Sequence, residues 1–197
     1  MANATREIRV DGAATFGRED LIEMATTHLA QRVAVTPVDS AGNVAAMPFS
    51  SAGISISQTP TVTAGAYSAG DAVGGLLTFA NAARASGDGG VIKDLLILDN
   101  AGQDAELELW LFNATFTAMA DNAAWAPSEA DLRKLVAIVS TADGAWFAAG
   151  TPSAARVECS QRYDCAATSL FGQLVTRGTP TFAATDNITV VLGLLTD

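Results

Sequence analysis

The residues able to do chemistry in this 197-residue chain are few and far apart. A histidine-dependent mechanism has one candidate, His28, and it falls on the apolar side of an expected helix, where packing or a partner contact is the expected role. Cys159 and Cys165 stand six residues apart in CSQRYDC. A tight loop over Ser160 to Asp164 would bring them to the roughly 4–7 Å Cα separation a disulfide needs. The alternative is two buried thiols, favoured because no secretory signal is visible. Neither arrangement makes a redox centre, since the C-x-x-C spacing is absent. One histidine and two distant cysteines also fall short of the about four ligands of a zinc site. Asp99/Asp104 and Asp121/Glu129 offer carboxylate pairs for acid–base work or calcium, but no D-x-D-x-D-G loop frames them, and Asp is common in turns anyway. GAYSAGDAVGG (65–75) lacks both the Walker ending and a strand–GxGxxG–helix context, so it reads as a loop with a bulged strand start at Gly74-Gly75. Trp110, Trp125 and Trp146 could stack on sugars; in a small β-sandwich tryptophans are more often core or subunit contacts. The sequons Asn113-Ala114-Thr115 and Asn187-Ile188-Thr189 carry no meaning without a secretory route. No catalytic, cofactor or metal residue is assigned, and the chain is expected not to be an enzyme.

The elements that would position any site fall into two parts. Residues 17 to 32, GREDLIEMATTHLAQR, carry a helical pattern: Glu19 and Asp20 suit a first turn, Arg32 a last one, and Leu21, Met24, Ala25, His28 and Leu29 recur at helical spacing. From Val33 to Val62 the chain reads as extended pieces broken by Pro37, Pro48 and Pro60, an arm that gains order by lying on another surface. Beyond Thr61 short β-type runs follow one another: 72–81, 91–100, 105–113, 135–141, 144–150, 155–161, 165–178 and 187–197. Asp-Gly and Gly-Gly pairs in Ser86 to Gly90, and the turns at 99–102 and 142–144, punctuate them. AELELWLFN is the clearest strand, with Leu107, Leu109 and Leu111 on one face. Glu106, Glu108, Trp110 and Phe112 occupy the other, which is expected to pass from solvent into a contact. Pro127-Ser128 before Glu129 and Asp131 can open one helical turn. Seven or eight short strands at spacings near ten residues predict a mainly β chain. The expected architecture is an antiparallel β-sandwich or jelly-roll-like body over 61–197, preceded by a helix and extended arm over 1–60.

Composition narrows the partners. Eleven Lys+Arg against 21 Asp+Glu give a formal charge of −10, and only two lysines, Lys93 and Lys134, are present. Phosphate binding needs clustered cations, so nucleic acid is not an expected partner. Apolar residues reach 49%, too many for a disordered chain, yet no apolar stretch of about 18 residues exists to cross a membrane. Charged residues make up 16%, low beside the roughly 25% of average soluble domains. Such a chain has little polar skin, which hints at an assembly subunit; an alanine-rich composition alone is the plain alternative.

One stretch resembles a known module. TPTVTAGAYSAGDAVGGLLTFANAAR (59–84), continued by GDGGVIKDLLILDNAGQDAELELWLF (87–112) and DNAAWAPSEADLRKLVAIV (121–139), is similar to a β-sandwich module of tailed-bacteriophage virion proteins. The features that carry the likeness are Tyr67, Gly70, Asp71, Gly74 and Gly75 in a Y-x-x-G-D-x-x-G-G pattern, the turn Gly87 to Gly90, Asp99, and Leu111-Phe112. The resemblance implies a structural role on the particle, looking most like a capsid decoration or cement protein. It would sit on the capsid exterior as a homotrimer, bind the major capsid protein and stabilise the assembled shell. The acidic balance suits a location away from packaged nucleic acid. Met47, Phe49, Ile54 and Ile56 of the arm, then Leu21 and Met24 of the helix, are the apolar residues expected to dock on a neighbour. A tail or baseplate adaptor or receptor-binding module is the alternative role.

Overall fold

Period-two alternation becomes strand in nearly every run where the sequence carries it. The computed structural model describes residues 9–10, 14–15, 52–144 and 146–197, and the chain divides into two compact units, Met1–Ala46 and Met47–Asp197. In the first, β1 (Arg9–Val10) pairs antiparallel with β2 (Ala14–Thr15). The helix expected over 17–32 and the arm from 33 to 51 lie outside the described residues.

The second unit holds β3 (Ala52–Gln58), β4 (Ala72–Phe79), β5 (Gly89–Asp99), β6 (Leu107–Phe112), β7 (Leu135–Ser140), β8 (Trp146–Ala148), β9 (Ser153–Asp164), β10 (Leu170–Thr176) and β11 (Ile188–Thr196). They form a four-stranded sheet in the order β4-β10-β6-β7 and a five-stranded sheet in the order β3-β11-β5-β9-β8. Every pairing is antiparallel. The first sheet turns inward Val73, Leu77, Leu107, Leu109, Leu111, Leu170 and Leu174; the second turns inward Ile92, Leu95, Ile97, Val190, Leu192 and Leu194, all in one buried cluster. This is a mainly β, antiparallel sandwich, as the strand spacing predicts.

β3 is the difference. The sequence reading places residues 52–58 in the arm, whereas they form an edge strand paired with β11 from Gln58↔Val190 to Ala52↔Thr196. Ile54 and Ile56 pack against the core, while Ser55 and Ser57 stay exposed. The alternation was there to read, but it is short, and Pro48 and Pro60 on either side make it look like broken chain. The body therefore begins near residue 52 rather than 61.

A strap covers the outer face of the four-stranded sheet. Phe112 and Trp110 point away from the core, and residues 113–128 bring Phe116 and Trp125 to them. Phe112 stacks on Phe116 with centroids 4.0 Å apart, and Trp110 lies 5.4 Å from Trp125. The second face of β6 thus does pass into a contact, one made by its own chain. Gln173, fully buried on β10, fastens the strap: its Nε2 donates to the Gly74 and Met119 carbonyls and its Oε1 accepts from the Met119 N–H. Past the strap, α1 (Glu129–Leu132) starts as the sequence predicts, with the Ser128 hydroxyl accepting from the Asp131 N–H.

Two carboxylates near the strap make the body acid-sensitive. The Arg177 guanidinium, with Trp110 Nε1 assisting, holds the Glu108 carboxyl below the ordinary range, and Lys134 with Ser128 does the same for Asp131. A depressed folded-state pKa means the unfolded chain binds protons first. The stabilisation is present at neutral pH and fades as pH falls below about 4. Urea unfolding at neutral pH and at pH 3 is expected to show that loss, and Glu108→Gln to shrink it. An undiminished loss in Glu108→Gln would mean the Arg177 pair contributes nothing to it.

Candidate interaction surface

The candidate chemical groups are kept apart by the fold. His28, Leu21, Met24, Met47 and Phe49 lie outside the described residues. Cys159 sits within β9 and Cys165 one residue past its end. Six residues of extended chain span roughly 20 Å, so no bridge forms and both are free thiols. Burial pushes the Cys159 thiol up, and burial together with Asp164 pushes Cys165 up to about 11, the wrong direction for a nucleophile. Asp99 does not pair with Asp104 for catalysis: its buried carboxylate accepts from the N–H groups of Ala101, Gln103 and Asp104 and so closes the turn after β5. Among the described residues no three His, Cys, Asp or Glu side chains gather as a metal site. Trp146 packs against the core, Trp110 packs on Trp125, and Trp125 packs in turn on Phe112 and Phe116. Asn187, one of the two sequon asparagines, is buried, its side-chain oxygen accepting from Ala183 and Ala184.

The residues of the Y-x-x-G-D-x-x-G-G pattern meet the segment DNAAW (121–125) to make a clasp. Asp121 is its hub. One carboxylate oxygen accepts from the Tyr67 hydroxyl (2.7 Å) and the Gly74 N–H; the other accepts from the Thr63 hydroxyl. The Trp125 backbone N–H donates to the Gly70 carbonyl, and Ala72 exchanges backbone bonds with Asn122 and Ala123. Gly74 has φ +70, and a Cβ there would run into Pro60. Across from it the β4–β10 register shifts, so the expected bulge at Gly74-Gly75 is present. The pattern is a packing signature, and sequence reasoning missed Asp121 as its centre because its partners lie 47 to 58 residues away.

Among the described residues, the outer face of the five-stranded sheet is open to a partner, and the pairing registers lay it out in rows. Thr189, Leu98, Ala154 and Phe147 form one; Ser57, Val191, Leu96 and Arg156 the next; then Ser55, Gly193, Asp94 and Glu158; then Gly53, Leu195, Val91 and Arg162. Leu98 is 36% exposed and Phe147 65%, while Leu96, Val191, Leu195 and Val91 are half-buried. No outward position of β11 or of described β3 carries a charge. Charge is confined to the β5–β9 side, where successive register shifts put bulges at Lys93 and at Cys159–Ser160. There Lys93, Asp94, Arg156, Glu158, Cys159 and Ser160 line an open depression of about 430 Å³. Asp94 accepts from the Arg156 guanidinium and occupies the space a side chain at Gly193 would need.

Ile54 and Ile56, expected to dock on a neighbour, turn toward this chain's own core from β3. The signal that would have found the open face is the near-continuous apolar run of β5 and β11, whose alternate residues have no inner core to enter. Comparison with known protein families, curated proteins and solved structures returns no match.

Proposed function

We propose that this chain is a non-enzymatic structural subunit of a tailed-bacteriophage particle, a decoration or cement protein that binds the outer surface of the assembled capsid. The observation that carries the reading is the pairing of a clasped, self-contained sandwich with a broad apolar sheet face, in a sequence that resembles virion sandwich modules over 59–139. The groups that could do chemistry are spent on structure: Asp99 and Asp121 fix turns and strap, and both thiols are pushed toward their protonated form. A cement protein acts by burying apolar area across subunit boundaries. At about 25 cal/mol per Å², a modest contact repeated over a symmetric shell opposes outward pressure. The major capsid protein is the partner this requires.

The tail or baseplate role predicts a different stoichiometry. Quantitative mass spectrometry of purified particles is expected to find this chain at a number on the order of hundreds, as symmetry-related sites on a shell demand. A count near a dozen would sink the cement reading and favour the adaptor.

A further inference from the structure

We infer that the outer face of the five-stranded sheet is a self-association surface, and that its occupant is the same face of a second copy of this chain. The argument starts from charge. The chain carries a formal −10, so most pairings of its surfaces bring acid against acid. On this face the outward charges are three cations, Lys93, Arg156 and Arg162, against three anions, Asp94, Glu158 and, at the end of β9, Asp164, so the face itself is close to neutral. The acidic surplus lies elsewhere, and two copies meeting here escape the repulsion that opposes other contacts.

Shape and polarity agree. The centre of the face is aliphatic, with Leu96, Val191, Leu195 and Val91 on the two middle strands. One margin, β3, presents only Gly53, Ser55 and Ser57, which let a facing sheet approach closely; the other, β8, presents Phe147, the most exposed large apolar side chain among the described residues. Sheets that pack face to face sit about 10 Å apart and interdigitate such rows. A surface that meets its own copy about a two-fold axis is complementary to itself by construction. With that axis running along the strands, the small-residue margin of one copy receives the bulkier margin of the other. The inference draws on the same apolar face that supports the shell reading: it gives that face to a second copy and leaves the capsid contact to other surfaces of the chain.

Sedimentation velocity of the full-length protein over a micromolar concentration series tests it, with circular dichroism to check folding. The wild type is expected to self-associate, and Val191→Glu, which puts a charge at the centre, to weaken association at least tenfold. Since a glutamate there could also loosen the sheet, Phe147→Ser is the second variant: its side chain is mostly in solvent, and it is expected to weaken association without lowering the melting temperature. Ile138→Ser, an exposed apolar residue on the other sheet, is expected to change nothing. A wild type that stays monomeric, or association equally strong in Phe147→Ser and folded Val191→Glu, overturns the inference. Variants that keep the oligomer but no longer bind capsids also overturn it and assign the face to the shell. Failure to bind capsids by a wild type that does self-associate overturns only the proposed function.

Discussion

Gln173→Leu is expected to lower the unfolding free energy by about 3 kcal/mol, although it changes side-chain volume little. Three backbone groups depend on this one amide: the Gly74 carbonyl at 2.8 Å, the Met119 carbonyl at 2.7 Å and the Met119 N–H at 2.9 Å. Leucine would leave all three without partners, and each stranded group costs roughly 1–3 kcal/mol. Met119 is only half-buried, so the strap can lift and let water reach its two groups, which keeps the total from the sum of the maxima. That escape is itself an observable. Limited proteolysis is expected to speed up within residues 113–128 while the two sheets persist. Gln173→Glu separates the contributions, because a carboxylate still accepts from the Met119 N–H and donates to neither carbonyl. An unchanged denaturation midpoint in Gln173→Leu would show that the strap is held by its aromatic contacts alone.

The same residues explain how far the sequence could be read. Strands such as β6 and β11 announced themselves because alternation is local: Leu107, Leu109 and Leu111 declare a face within five residues. Alternation does not say what covers the other face. Trp110 and Phe112 were legible as contact-forming, but their cover is a segment that carries no periodicity and is folded back by Gln173, 54 residues from Met119. The clasp has the same character: its pattern was visible, whereas Asp121 as its hub depends on tertiary closure. β3 was lost for a related reason, since an edge strand between prolines shows one apolar face only five residues long. The shortage of charge was plain from composition; its place, the outer rows of β3 and β11, needed the register, because which residues share a row is decided by pairing across the sheet.

Pairing across the sheet also sets the second large effect. Gly90→Ala is expected to destabilise the body by about 3 kcal/mol, against the ordinary gain from replacing a strand glycine by alanine. The sequence marks Gly89-Gly90 as turn residues, but both lie inside β5. A Cβ on Gly89 would run into the Tyr163 carbonyl of β9, and one on Gly90 into the Leu195 carbonyl of β11. The start of β5 is thus pinched from both sides by backbone, at the centre of the five-stranded sheet, where neither neighbour can yield as a flexible side chain would. Relief would require β11 to shift, and β11 carries Val190, Leu192 and Leu194 into the core. Gly75→Ala is the matched control: it is also a strand glycine, nothing stands within reach of its Cβ, and its φ is not in the left-handed region. It is expected to be neutral or to stabilise by roughly 0.5 kcal/mol. Comparing the two by urea denaturation isolates the close approach from glycine's entropy. If Gly90→Ala matched Gly75→Ala, β11 would be free to move away from β5, and the outer face built on those two strands would not be the rigid surface that self-association requires.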